Sequence, residues 1–584
     1  MLRAVKVSVQ GRVQGVGFRP FVFGLAEKYS LVGTVQNNMD GVKIHIEGDE
    51  QSLHAFLSDL ETKPPRLSKI NKIIVNEAKV KQYSTFSIIS SERSGTSMLV
   101  IPIDSAVCED CLQEMNNPTD FRYRYPFINC TQCGPRYTII RELPYDRPYT
   151  TMGDFHMCPD CLTEYENPLN RRHHAQPIAC PKCGPQISLF DGTGNLVELN
   201  DPLAEGIRML ELGKIVAVKG IGGYHLCCDA RNVKAVEQLR IRKKRKVRPL
   251  AVMASTLEEI QRFADVNEEE ALLLQSPEAP IVVLRKKKSG DLAEEIAPGM
   301  ETIGVMLPYS PLHHLLFDKS AVSCLVMTSA NPSGLPMIFN EDQVFHYLNE
   351  IADYYLIHNR EILHPVDDSV IQWSNQGPDF LRRSRGYVPD PLPIQSDVTG
   401  IVAFGGQQKN TFSIGRNQQI FIGPHIGDLE NIETIDHFKH ELDHLLKWID
   451  IPKDTAVIDA HPSYLNRTIL NDYHFSEILE VQHHHAHMAA CMGENDLYGD
   501  TYGIILDGTG YGTDGCIWGF EIFYGGYTQY KRLGHLRYTP LPGVEKAIKE
   551  PWRNAVGMLI SLLGKREKTT PSRFSLTKKQ RLIF

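Results

Sequence analysis

The chain has 584 residues, 42% of them hydrophobic, enough for several cores, and roughly four domains are expected at this length. A net charge of −8 excludes a protein that binds polyanions over its whole surface, and no apolar run is long enough for a membrane span. Thirteen cysteines are too few for a secreted disulfide framework, and eight of them fall in four C-x-x-C pairs, so a soluble cytoplasmic chain with metal-binding thiols is expected.

The start, "MLRAVKVSVQGRVQG", is interrupted by Lys6, Gln10 and Arg12 and is no signal peptide. Over residues 1–92, "RAVKVSV" alternates like a strand and "RPFVFGLAEKYSL" has helical spacing. "VGTVQN" and "VKIHIEG" read as strands, "DEQSLHAFLSDLE" as a helix, and "NKIIVNEAKV" and "TFSIIS" as strands. This β-α-β-β-α-β order with a closing strand predicts a ferredoxin-like α+β sandwich. Between the first strand and helix, the glycines of "GRVQGVGFRP" let backbone N–H groups curl into a nest at a helix N-terminus beside Arg19, which suits a phosphate. The stretch resembles the acylphosphatases. That resemblance implies that Arg19 binds an acyl phosphate and that Asn37 of "GTVQNN" orients the attacking water.

Residues 104–190 hold an internal repeat, "CEDCLQEMNNPTDFRYRYPFINCTQCGP" and "CPDCLTEYENPLNRRHHAQPIACPKCGP", with 13 of 28 aligned positions identical. Cys108, Cys111, Cys130 and Cys133 form one set, and Cys158, Cys161, Cys180 and Cys183 the other. Two residues between paired thiols let both turn onto one ion, and two such pairs close a tetrahedral shell that leaves no position for substrate. Two structural zinc ions are therefore expected, supplying folding energy where core is scarce. Spacing leaves open which pairs share an ion.

Over residues 200–390, helical segments such as "DPLAEGIRMLELG" alternate with apolar strands, among them "IVAVKG", "PLAVM", "PIVVL" and "CLVMTSA", an α/β pattern. The basic run "RIRKKRKVRP" fits a solvated helix end as well as a nucleic-acid contact, and the acidic chain does not support the latter. It precedes a strand, and "TSANPSG" follows another, so cations and a Ser/Asn turn can converge on phosphates. These segments resemble the YrdC-type enzymes that form carbamoyl adenylates from ATP with Mg²⁺. Lys243 and Arg245 match that family's K-x-R, Ser329 and Asn331 its S-x-N, and Arg248 stands where a lysine is usual.

From residue 398 to 584, "IVAFGGQQKNTFSIG" and "FIGPHIGDLEN" read as glycine-turned hairpins and "HFKHELDHLLKWI" as an amphipathic helix. In "VQHHHAHMAACM", His483 and His487 share one helix face and can reach one metal, though such pairs also occur in cores and on surfaces. In "LDGTGYGTDGCIWGFE", Asp507, Gly508 and Gly510 suit a phosphate or Mg²⁺ hairpin. The two motifs resemble the carbamoyltransferase domain, of actin-like ATPase type, shared with the tRNA threonylcarbamoyl-transfer enzymes. That resemblance implies Fe²⁺ or Zn²⁺ at the histidines, completed by a distant aspartate. No aspartate follows Glu567, so a truncated C-terminal lobe with core surface exposed beyond about residue 395 is expected.

The four modules in this order resemble the HypF family of nickel–iron hydrogenase maturation. The resemblance implies a carbamoyltransferase that uses carbamoyl phosphate and ATP and delivers the carbamoyl group to the C-terminal cysteine of a HypE-type partner. The competing readings are a tRNA-modifying carbamoyl-adenylate enzyme and a zinc-ribbon scaffold with impaired catalytic modules.

Overall fold

A computed structural model describes residues 2–38, 41–89, 100–143, 145–332 and 334–563. The last residues of the first predicted module and the terminal "SRFSLTKKQRLIF" lie outside these. The chain divides into two compact units: residues 1–458 with 464–479, and residues 459–463 with 480–584.

The first unit opens with strands β1 (Arg3–Arg12), β2 (Val32–Asn38), β3 (Gly41–Gly48), β4 (Lys69–Ala78) and β5 (Phe86–Ile88), in the order β4-β1-β3-β2-β5. Helices α1 (Phe18–Lys28) and α2 (Glu50–Thr62) complete the expected α+β sandwich. The period-two pattern of β1 buries Val7 and Val9, and the helices add Phe18, Val22, Leu53 and Phe56 to the same core. Asp49 caps α2 by accepting from Ser52 N at 2.9 Å. The sandwich is anchored by Arg12, which is buried. Its Nε donates to the Leu67 carbonyl at 2.8 Å and its guanidinium to Asp390 at 3.1 Å, across to the α/β module.

Each cysteine repeat is a short helix (Glu109–Asn116 and Pro159–Glu166) followed by turns; the first packs Met115, Tyr125, Phe127 and Ile128 into a large core, whereas the second has only a small cluster with Ala175 and Ile178. The turns repeat as well: Arg124 and His174 both take φ near +54° and donate backbone N–H bonds to Met115 and Tyr165.

The α/β module is an eleven-stranded mixed sheet. Its central strand, Cys324–Ser329, runs antiparallel to Tyr224–Asp229 on one side and Val252–Ala254 on the other. All three are buried almost throughout, as apolar runs such as "CLVM" require.

A six-stranded sheet follows, against which the helix Ile432–Ile449 packs. The first predicted hairpin forms over a long loop, Ile401–Ala403 pairing antiparallel with Ser413–Arg416, and a tight hairpin that was not predicted joins Ser413–Arg416 to Gln419–Ile422. "FIGPHIGDLEN" leaves the sheet after Ile422: a Cβ on Gly423 would stand 2.5 Å from the Phe412 ring, and Pro424 has no N–H for a ladder. Exposure does not begin near residue 395. Phe404, Phe412, Phe438, Leu442 and Trp448 form one buried cluster with Tyr137 and Ile140.

The second unit holds the helix His483–Glu494, a three-stranded sheet (Thr501–Ile505, Glu521–Gly525, Tyr530–His535) and a hairpin pairing Gly510–Tyr511 with Ile517–Trp518. Its small core is Met488, Met492, Ile505, Trp518 and Phe523, while Tyr502, Ile504 and Leu506 are largely exposed.

Candidate active and metal sites

The eight cysteines form two clusters, each drawn from one repeat. Sulfur–sulfur distances are 3.6 Å for Cys108–Cys130, 3.8 Å for Cys130–Cys133 and 3.6 Å for Cys111–Cys133. In the second cluster they are 3.6 Å for Cys158–Cys180, 3.7 Å for Cys180–Cys183 and 3.7 Å for Cys161–Cys183. A tetrahedron of thiolates about 2.3 Å from zinc has edges of about 3.8 Å, so both shells fit structural zinc. The clusters are braced by donors from each other's repeat. Arg171 donates to Cys111 Sγ at 3.1 Å, and Arg122 to Cys161 Sγ at 3.4 Å.

Arg19 is the second residue of α1, whose N-cap is Gly17 at φ 75°, a left-handed conformation natural to glycine. Burial lowers the Arg19 pKa, opposed by the nearby Asp146 carboxylate, so the guanidinium stays charged. Asn37 lies on β2, and its buried Oδ1 has no hydrogen-bond partner. An orphaned acceptor of this kind fits a bound water or substrate.

In the α/β module the two predicted pairs meet. The helix Val233–Arg242 is capped by Asn232 at its start, and its basic last turn complements the helix dipole. The chain then turns at Lys244, φ 52°. This sends Lys243 Nζ to the Ser329 carbonyl at 2.7 Å, the Asn331 carbonyl at 2.7 Å and Asn331 Oδ1 at 3.0 Å. Three acceptors favour the ammonium form, whereas burial and then Arg245 pull its pKa down to about 7. Arg245 reaches Thr328 Oγ1 at 3.3 Å, on the same strand end. The Arg248 side chain is exposed; only its carbonyl joins the network, accepting from Arg240 and Arg245. Much of the basic run is thus engaged internally: Arg240 donates to the Ile296 carbonyl and Arg242 to Asp353.

In the second unit, His483 and His487 share one face, with their Nε2 atoms 3.2 Å apart. Asp507, expected on a nucleotide hairpin, stands instead with the histidines: Oδ2 is 3.1 Å from His483 Nε2 and 3.7 Å from His487 Nε2. That oxygen is buried and accepts no well-aligned hydrogen bond. Asp459, which sequence reasoning passed over, takes His483 Nδ1 at 2.6 Å and fixes Nε2 toward the cluster. A carboxylate behind a histidine and three converging donors form a set suited to a divalent metal. Gly510 lies under His484, where a Cβ would come within 2.6 Å of Nε2; Gly508 donates its N–H to Asp507 Oδ1 at 2.7 Å.

Family models match module by module: Acylphosphatase over residues 5–88 and HypF finger over 107–140 and 157–190. The Sua5–YciO–YrdC model, described as telomere recombination, matches 208–384, the HypF Kae1-like domain 396–494, and its second subdomain 503–583. The carbamoyltransferase HypF of Synechocystis is 44% identical over 97% of this chain and 74% of its own length. That of Rhizobium leguminosarum is 43% identical over 96% and 72%. A crystal structure of full-length HypF in its phosphate- and nucleotide-bound form superposes with a TM-score of 0.90 at 42% identity, covering 96% of this chain and 74% of that one.

Acylphosphatase, double-finger, YrdC-like and Kae1-like domains in this order define a multidomain carbamoyltransferase. The chain belongs to the HypF carbamoyltransferase family. Among the described residues no helix is long and apolar enough to cross a membrane.

Proposed function

We propose that the chain passes a carbamoyl group through three sites in series, in the cytoplasm, as a step of nickel–iron hydrogenase maturation. At the first, the glycine loop and Arg19 hold the phosphoryl oxygens of carbamoyl phosphate. Asn37 Oδ1 accepts a hydrogen bond from the attacking water, and hydrolysis yields carbamate and phosphate.

At the second, a carbamate oxygen attacks the α-phosphorus of ATP, carried with Mg²⁺. Pyrophosphate leaves and carbamoyl adenylate remains. Lys243 and Arg245 neutralise the phosphates, Ser329 and Asn331 hold Lys243 in place, and Arg248 adds positive charge at the rim.

At the third, the C-terminal cysteine thiolate of a HypE-type partner attacks the carbamoyl carbon and AMP departs. The product is a thiocarboxamide, which the partner dehydrates toward the cyanide ligand of the hydrogenase iron. Asp507, Gly508 and Gly510 border the nucleotide, and His483, His487 and Asp507 are the residues that would hold Fe²⁺ or Zn²⁺. A divalent ion there supplies positive charge to the leaving phosphate. Keeping carbamate between fused domains limits its decomposition in water.

The observation that carries this reading is the meeting of the Lys243 ammonium with Ser329 and Asn331, two segments about ninety residues apart. Its test is release of AMP and pyrophosphate that depends on carbamoyl phosphate. Lys243→Ala is expected to abolish that release while phosphate release persists. AMP release without carbamoyl phosphate at the same rate would contradict the reading.

A further inference from the structure

Pro102, Thr131 of the first finger and Tyr145 of the link between the fingers converge on the glycine loop that carries Arg19. A Cβ built on Gly17 would stand 2.6 Å from Thr131 Oγ1, and one on Gly15 would lie 3.0 Å from Pro102 and 3.8 Å from the Tyr145 ring. Next to Tyr145 is Asp146, whose carboxylate acts on Arg19 and opposes the effect of burial on it.

Asp146 is held from behind. Gln176 Oε1 accepts from Arg147 N at 2.8 Å and from the Tyr165 hydroxyl at 2.9 Å, which fixes the amide so that Nε2 faces Asp146 Oδ1 at 3.4 Å. The same recess holds His173, buried, with its Nδ1 unpartnered and its ring 4.3 Å from that of His174. Burial first, then the neighbouring His174 and Arg19, keeps His173 neutral, at about 4. Beside a phosphate-binding arginine, the fingers thus set a carboxylate and an unpartnered imidazole nitrogen.

Acyl phosphates share a phosphoryl group and a carbonyl, and differ only beyond the carbonyl carbon. Carbamoyl phosphate has an amino group there, with two N–H donors, where acetyl phosphate has a methyl. An acceptor-only carboxylate gains a charge-assisted hydrogen bond from the first and none from the second.

We propose that Asp146, set by Gln176, is the specificity-determining residue of the Arg19 site, accepting a hydrogen bond from the amino group of carbamoyl phosphate and selecting it over acetyl phosphate. This rests on the reading of Arg19 as the hydrolytic site.

The test is kcat/KM for phosphate release from carbamoyl phosphate and from acetyl phosphate, measured on the full chain and on Asp146→Ala and Asp146→Asn, with zinc content as the check on folding. The carbamoyl-over-acetyl ratio is expected to fall about tenfold in Asp146→Ala, the loss of one partly solvated charge-assisted bond. Asp146→Asn, which keeps a carbonyl acceptor, is expected to recover part of it. Equal loss on both substrates, or a wild-type chain that does not discriminate, would overturn the proposal. Phosphate release from neither substrate by the wild type would instead sink the Arg19 reading, and the proposal with it.

Discussion

Arg122 in the first cysteine repeat and Arg172 in the second reach across to each other's repeat in the same way. Arg122 Nε donates to the Ala179 carbonyl at 2.9 Å and its guanidinium pairs with Glu164. Arg172 Nε donates to the Asn129 carbonyl at 3.0 Å and its guanidinium pairs with Glu114. All six positions fall into three pairs related by the 50-residue offset of the repeat, so the two fingers exchange arginines and fold as a pair. Both arginines are buried, so truncating Arg122 leaves the Ala179 carbonyl unsatisfied and Glu164 with only its longer 3.4 Å contact to Arg172. Arg122→Ala is expected to cost about 3 kcal/mol in urea unfolding and to loosen the second finger as well as the first. A change below about 0.5 kcal/mol would show that the exchange contributes nothing.

Because each cluster draws on one repeat, Cys111→Ser is expected to remove about one zinc equivalent and leave about one. Metal analysis of purified protein distinguishes this from a shared arrangement, in which both ions would be lost together.

Lys243 is expected to make ATP binding pH-dependent. In the unfolded chain its amine titrates at its ordinary 10.5, in the folded chain at about 7. Between these values the unfolded chain binds the extra proton, so this group's contribution to stability rises with pH across that window. The cost of the buried charge is present in full below 7. Nucleotide phosphates require the ammonium, so ATP binding at pH 8 is expected to take up a proton. Affinity is expected to fall by up to about tenfold per pH unit above 7. Calorimetry in buffers of different protonation enthalpy measures the uptake, and Lys243→Arg is expected to flatten the dependence.

Asp507 is expected to govern metal at the histidine pair. Asp507→Ala is predicted to lower Fe²⁺ or Zn²⁺ content by about one equivalent with the finger zinc retained. Asp459→Asn is predicted to weaken that site by about tenfold or more through His483 orientation. Metal content equal to wild type in both variants would remove the site.

The sequence made the elements legible wherever period and spacing were strong. The β-α-β-β-α-β order, the paired C-x-x-C repeats and the apolar central strands could all be read in advance. Convergence across the chain was legible only for Lys243 with Ser329 and Asn331, because both flank strand ends. Asp507 reads as part of a glycine turn, and nothing local says that its carboxylate meets His483 and His487. Asp459, twenty-four residues before His483, carries no motif at all. The Arg122 and Arg172 exchange was encoded in the repeat, since both positions are conserved between its copies, but an arginine in a turn signals nothing until its partner is known. The hairpin expected over "FIGPHIGDLEN" failed because glycine there serves close approach to Phe412 and not a turn.

The central claim is that the Arg19 site supplies the Lys243 site. It is tested most directly by measuring phosphate, AMP and pyrophosphate together after mixing the chain with carbamoyl phosphate, ATP and Mg²⁺. The wild type is predicted to release all three, and Arg19→Ala none of them above background. Undiminished AMP and pyrophosphate from Arg19→Ala, with phosphate release gone, would show that the two sites do not act in series.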